Sequence, residues 1–338
     1  MIHNARNEVR NEEGCGAINP CCSGVASSWS DSRGAAAKES PTDSAFVPAS
    51  ASGAPQLVEA LRQGLREHGY VEEQNITLVP RYAEGNIERL AGFAAELVRL
   101  KADVIVVGST PGIIAVKNTT GAIPIVMVTT GDPVAGGLVG SLARPGGNIT
   151  GLTALGQELS GKRLEVLKEA VPKGSRVAVL SNPTNPDSEL SLKGMEVAAR
   201  ALGVHIRLQE VRDPTEFDKA FEATIRVGAR ALMVLPDPMF VSQAGRIVAL
   251  SAKSRLPAMY AHREFVDVGG LMFYGASLAD MWRRAATYVD KILKGTKPAD
   301  LPVEQPKKFE FIINLKAAKQ IGLTIPPNVL VRADRVIQ

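Results

Sequence analysis

The side chains best suited to meet a small molecule lie in polar turns, each directly after a short apolar run. Ser109-Thr110-Pro111 follows the run 104–107. A hydroxyl before proline is a helix-start signal: the oxygen caps, and proline tolerates the first turn. Free backbone N–H groups at such a start favour an anion, for instance a carboxylate. Thr130 and Asp132 occupy the turn after the run 123–128. Asn182 and Asn185 follow 176–180, Asp237 follows 231–235, and His262 and Glu264 follow 257–260. Asp132 and Asp237 suit the ammonium or hydroxyl of a ligand, or the capping of a helix. A catalytic carboxylate pair, a metal site, or an acid–base pair of His262 with Glu264 are the sharper alternatives.

Parallel strands of an α/β sheet would put all these turns in one place. Runs this short and rich in Val and Ile suit strands buried on both faces. Helical periodicity fills the intervals, at about 56–68, 87–100, 158–170, 187–202, 213–227, 240–254 and 277–294. The order of elements occurs twice: LVRLKADVIVVGSTP answers RVGARALMVLPDP, and GAIPIVMVTTGDP answers SRLPAMYAHREF. This predicts two similar βα lobes with parallel sheets joined by a hinge. Ligands bind such sheets at the C-terminal ends of the strands. The expected divisions are a disordered or aberrant segment 1–53, one lobe from 54–152 plus about 277–298, and a second from 153–276 plus about 299–338. PGGNITG reads as a turn, and residues after 322 as an irregular tail.

The chain has 338 residues, 45% hydrophobic and 22% charged, enough for two ordinary domains. Net charge is +4 with both signs interspersed, which argues against a nucleic-acid footprint. No stretch approaches the ~20 apolar residues of a membrane span. Residues 1–53 are rich in Ser, Ala, Gly and Asn, without periodicity, and show neither an export signal nor a convincing strand before Gln56. The three cysteines, Cys15, Cys21 and Cys22, match no zinc spacing, and no structural role is expected of them. Phosphate-binding loop, dinucleotide fingerprint, nucleophile elbow and zinc-helix patterns are missing from the sequence. No catalytic residue, metal or cofactor is therefore expected.

Many segments in order, among them ADVIVVGSTPGIIAVKN, IPIVMVTTGDPVAGGLVGSLARPGGNITGLT, GKRLEVLKEAVPKGSRVAVLSNPTNP and EFVDVGGLMFYGASLADMWRRAATYVDKILKGTKPADLPVEQP, resemble the substrate-binding proteins of ABC transporters of the tryptophan/tyrosine type. The likeness covers roughly 55–336. It implies a type I periplasmic-binding-protein fold, a small ligand such as an aromatic amino acid or related carboxylate, delivery to the transmembrane subunits of an ABC permease, a periplasmic location and a monomer. For an amino acid it implies that Ser109 and Thr110 hold the carboxylate and Asp132 or Asp237 the ammonium. Asn182, Asn185, Glu264 and Tyr274 would line the opposite wall, and Tyr82 would stack on an aromatic ring. The family begins with an export signal and a first strand, where this chain has SPTDSAFVPASASGAPQ. An altered or misread N-terminus is expected, which leaves export, the first strand and one pocket loop open. The alternatives are an enzyme on the same scaffold using cleft carboxylates, a non-exported remnant of a binding protein, or an intracellular sensing domain. The last would need a helix-turn-helix before residue 55.

Overall fold

A computed structural model describes residues 44–49, 54–172 and 174–338. The expectations for Cys15, Cys21 and Cys22 lie outside the described residues.

The first lobe is built on a five-stranded parallel sheet in the order β2-β1-β3-β4-β5. Its elements are β1 (Ser44–Ala49), α1 (Ala54–Glu67), β2 (Thr77–Tyr82), α2 (Glu88–Arg99), β3 (Val104–Gly108), α3 (Thr110–Thr119), β4 (Ile125–Thr129) and β5 (Ile149–Thr153). β3, β4 and β5 are buried almost throughout because helices cover both faces of the sheet. One face packs Val104, Val106, Val126 and Val128 against Leu61 and Leu65 of α1. The other packs Ile105, Val107 and Met127 against Ala94 and Leu97 of α2 and Ile113 of α3.

Two sequence expectations are corrected here. β1 exists before Gln56, between β2 and β3 and parallel to both. SAFVPA escaped recognition because it is short and holds a proline, which normally demotes a strand to an edge. PGGNITG is no simple turn: its last residues enter β5, with Gly151 at φ 129°. Met127's backbone lies where a Cβ on Gly151 would have to go. That glycine hid a strand.

The second lobe contains a seven-stranded sheet, β12-β11-β10-β9-β8-β6-β7. It runs through α4 (Gly156–Ala170), β6 (Arg176–Ser181), α5 (Pro186–Leu202), β7 (His205–Glu210), α6 (Phe217–Arg226), β8 (Ala231–Val234), α7 (Pro238–Ser242), α8 (Ala244–Lys253), β9 (Ala258–Tyr260), α9 (Glu264–Asp267) and β10 (Met272–Ala276). The chain then returns to the first lobe as α10 (Leu278–Leu293), which packs on α1 through Met281, Ala285 and Val289. It finishes on the second lobe with β11 (Phe309–Asn314), antiparallel to β10, then α11 (Leu315–Gln320), α12 (Pro327–Leu330) and β12 (Arg335–Ile337). The stretch expected as one helix over 240–254 is two helices, broken at Gln243. The tail expected to be irregular carries α12 and β12.

Three connections cross between the lobes among the described residues: after β5, after β10, and between Glu304 and β11. Thr150 Oγ1 donates to the Leu301 carbonyl (2.7 Å), and Glu304 N donates to Gly151 O (3.0 Å). The chain thus stays on the first lobe as far as Glu304, past the point near 298 that the sequence suggested. Ser277 N donates to Lys308 O (3.0 Å), tying two of the connections together. Leu155, in the first connection, is held at φ 45° and ψ 55°, a left-handed conformation costly for a non-glycine residue. Multiple parallel connections of this kind make a hinge.

Candidate ligand-binding cleft

The polar ends of β3, β4, β6, β8 and β9 meet between the lobes. They enclose a cleft of about 620 Å³, part of it open to solvent. From the first lobe come Ser109, Thr110, Thr130, Trp282 and Leu278; from the second, Asn185, Asp187, Asp237, His262 and Glu264. Six of the residues expected to bind a ligand therefore share one cleft, Ser109, Thr110, Thr130, Asn185, Asp237 and Glu264, together with His262.

On the first-lobe side, Ser109 turns the chain from β3 into α3 with φ 79° and ψ 140°, and no side chain caps the helix. Proline in the first turn removes one donor and leaves the remaining early N–H groups to a partner from the cleft. Gly108 is required beneath this turn, since a Cβ there would lie 2.7 Å from the Trp282 ring. Trp282 is 2% exposed and forms an apolar floor. Thr110 Oγ1 and Thr129 Oγ1 share a hydrogen bond of 2.8 Å, and Gly131 N donates to Thr129 Oγ1 (3.1 Å).

The second-lobe side is dominated by carboxylates in very different states. Asp237 caps α7: its Oδ1 accepts from Met239 N (2.8 Å) and Phe240 N (3.2 Å). Its Oδ2 accepts from Asn185 Nδ2 (2.9 Å) and Asn182 Nδ2 (3.1 Å). Four donors fill the four acceptor positions of a carboxylate. Burial still pushes its pKa above the ordinary value, against those hydrogen bonds. Asp187, in the first turn of α5, faces the Thr110 hydroxyl across the cleft. Burial, opposed by that hydroxyl and reinforced by the charges of Asp237 and Asp132, raises its pKa to about 6. Glu264 Oε2 is buried without a hydrogen-bond partner among the described residues. A carboxylate oxygen in that state is costly unless a cation or donor meets it.

The lobes touch at these residues. A Cβ on Gly131 would strike the Asp187 carboxylate, and one on Gly85 would lie 2.6 Å from Ser242 Oγ and 3.0 Å from the Met239 Cα. The cleft is closed, and small residues make the closure possible.

Four residues named from the sequence lie elsewhere. Asp132 caps its own turn, accepting from Val134 N (2.9 Å) and Ala135 N (3.0 Å), while Gln157 Nε2 fills its other oxygen (2.8 Å). Asn182 is buried behind Asp237 and orients it. Tyr274 packs edge-on against Phe311 with ring centroids 6.1 Å apart. Tyr82 packs on the first-lobe core. Three residues that line the cleft or the cavity behind it were not recognised in the sequence. Asp187 reads as an ordinary acid in a helix first turn, and Trp282 as the apolar side of α10. Arg163 reads as one more charge in KRLEVLKEA.

Arg163 and His262 lie where the cleft opens into a second cavity of about 780 Å³. That cavity shares Leu57, Thr130, His262, Glu264 and Leu278 with the first. Burial holds the His262 pKa below its usual value, with Glu264 pulling it up and Arg163 pushing it down. Burial also draws the Arg163 guanidinium down to about 10, so it stays charged at neutral pH. Among the described residues no group of three or more His, Cys, Asp or Glu is placed to hold a metal ion. No described helix is long and apolar enough to cross a membrane.

Residues 45–337 match the family described as ABC transporter substrate binding protein. A tyrosine-binding protein of Clostridioides difficile is 27% identical over 263 residues, 77% of this chain and 75% of that protein. A conserved domain protein of Vibrio cholerae has a solved structure that superposes with a TM-score of 0.82. It is 27% identical and covers 87% of this chain and 99% of its own. The ABC domain from Streptococcus pneumoniae solved in complex with L-Trp gives 0.78 at 26% identity, with the same coverages. Two lobes, each a predominantly parallel sheet between helix layers, with three crossings and a ligand-sized cleft, are the type I periplasmic-binding-protein fold. The chain belongs to the ABC transporter substrate-binding protein family.

Proposed function

We propose that this substrate-binding component takes an aromatic amino acid as its cargo. The observation that carries the reading is the pairing, in one closed cleft, of the uncapped start of α3 with two carboxylates that still have room for a cation, Asp187 and Glu264. A zwitterion supplies both missing partners: its carboxylate for the α3 turn at Ser109 and Thr110, its ammonium for Asp187 and Glu264. Trp282, Leu57 and Leu278 give an aromatic side chain apolar surface to cover. The relatives named for tyrosine and crystallised with L-Trp favour the same ligand class. The ammonium role moves from Asp132 and Asp237 to Asp187 and Glu264, because Asp237 has its four acceptor positions filled from within the protein and Asp132, which accepts three hydrogen bonds in and beside its own turn, does not line the cleft.

The ligand bridges both lobes and so stabilises the closed form. That form would be read by the transmembrane subunits of the permease. We take the protein to act as a periplasmic monomer that binds without catalysis and without nucleic acid. In support, Asp237 has no free oxygen lone pair for proton transfer, and the positive and negative charges are interspersed.

A thermal-shift series of the purified chain against the common amino acids tests the assignment. A ligand at a hundredfold excess over its Kd adds about 2.7 kcal/mol to folding stability. For a chain of this size that raises Tm by about 4 °C. The expected result is a rise with tyrosine, tryptophan or phenylalanine and none with aspartate, lysine or glycine. A rise confined to non-aromatic ligands would overturn the aromatic assignment.

A further inference from the structure

Arg163 stands in the wall of the rear cavity in an unusual condition. It is 2% exposed, yet carries a full charge and has no carboxylate partner. Its Nε donates to the Tyr274 carbonyl (2.7 Å) and its Nη1 reaches the Gly156 carbonyl at 3.4 Å, a weak contact. No hydrogen bond of Nη2 to the described residues is found. The neighbouring Arg263 differs: it is exposed and paired with Glu310 (3.1 Å) and Asp267 (3.5 Å). Buried charges are ordinarily paired, and the positioning of α4 against β10 by Arg163 would need only the Nε bond. The rest of the guanidinium is left for something that enters the cavity.

The rear cavity is continuous with the cleft, past Leu57, Thr130, His262, Glu264 and Leu278. Its remaining lining is mixed: Leu159, Ala154, Ala276 and Phe273 are apolar, Gln56, Ser277 and Arg163 are polar, and Asp267 and Glu310 are engaged by Arg263. A side chain extending from an amino-acid headgroup at α3 and Asp187 would run over Trp282 and Leu278 into this space.

We infer that the rear cavity receives the far end of the ligand's side chain, and that Arg163 donates a hydrogen bond to an oxygen acceptor there. This deepens the aromatic amino-acid reading and rests on it. The preferred ligand carries an oxygen on the ring end away from its headgroup, as a phenol does. An apolar isostere would leave the guanidinium buried and unpaired. A tryptophan indole, whose nitrogen only donates, would do the same.

Calorimetric titration of the full chain with L-tyrosine, L-phenylalanine and L-tryptophan tests this without any mutation. Tyrosine should bind at least about tenfold more tightly than phenylalanine or tryptophan, as expected of a hydrogen bond to a charged donor. The Arg163→Met variant should bring the tyrosine-to-phenylalanine ratio close to one, and Arg163→Lys, which keeps a charged donor, should retain part of it. A tyrosine preference missing in the unaltered chain, or one unchanged in a folded Arg163→Met protein, overturns the inference while leaving aromatic amino-acid binding intact. If none of the three ligands binds, the functional reading itself falls and takes this one with it.

Discussion

Asp187 carries the clearest pH dependence at the level of single residues. In the closed cleft its carboxyl is raised from 3.8 to about 6, chiefly by burial. The groups around it are Thr110 and Gly131 across the cleft and the acids Asp237 and Asp132; none supplies a positive charge. A ligand ammonium would, and would lower the pKa again. A group whose pKa is raised in the free closed form and lowered in the complex must lose a proton to bind below the free-form value. Affinity should therefore be flat above about pH 7 and weaken toward tenfold per unit below about pH 6. Titrations across this range would check it. Asp187→Asn should bind more weakly at neutral pH and lose the acid-side slope; a constant Kd down to about pH 5 in the unaltered protein would separate Asp187 from the ammonium. Sequence reading brought six of its ten chosen residues into the cleft because strand ends can be recognised from apolar runs. It could not distinguish a saturated carboxylate from an open one. Asp237 and Asp187 are both acids at helix starts, and only their hydrogen bonds separate them.

Closure at the level of elements depends on how near the β4 turn comes to the start of α5. Gly131 is not at a positive φ, so alanine suits its backbone. The methyl group would meet Asp187 and also Thr110 Oγ1 at 2.5 Å, the latter within its own lobe and hydrogen-bonded to Thr129. With the lobes apart, the main obstacle disappears. Gly131→Ala is expected to fold with a ligand-free Tm within a few degrees of the parent. It should bind about tenfold or more weakly, since overpacking costs about 1–3 kcal/mol. Melting curves with and without ligand would separate the two effects, and an unchanged ligand-induced shift would mean that closure does not pass through this contact. Element types were largely readable from periodicity and caps; α5, for example, starts at Asn185-Pro186 as the signals say, with Asn185 Oδ1 accepting from Asp187 N (3.0 Å). The failures share a cause. β1 and β5 hold a proline and a glycine that argue locally against strand, and the sheet overrides them by pairing on both sides of β1 and by Gly151's fit against Met127. The break at Gln243 has no comparable mark in the sequence.

On the scale of the whole molecule, the two-lobed arrangement was legible because the order of elements occurs twice. The exact crossings were not, because the stretch 299–304 has no periodic pattern and is placed by contacts distant in sequence, among them hydrogen bonds to β5, Val303 N to Leu142 O and the Tyr288 hydroxyl to Pro302 O. The hinge and the cleft serve one end: a ligand that satisfies both lobes at once converts contact energy into a population of closed molecules. Moving that population from 1:99 to 99:1 takes about 5.5 kcal/mol of preference. A charged ammonium between Asp187 and Glu264, together with a carboxylate at α3, would supply that preference through charge-assisted hydrogen bonds to both lobes. The most direct test is a calorimetric titration of the full chain, at neutral pH, with an aromatic amino acid and with its analogue lacking the amino group. The account predicts saturable one-to-one binding of the amino acid and at least about a hundredfold weaker binding of the analogue, because two buried carboxylates would then face no cation. Equal affinities for the pair, or an analogue that binds more tightly, would contradict it.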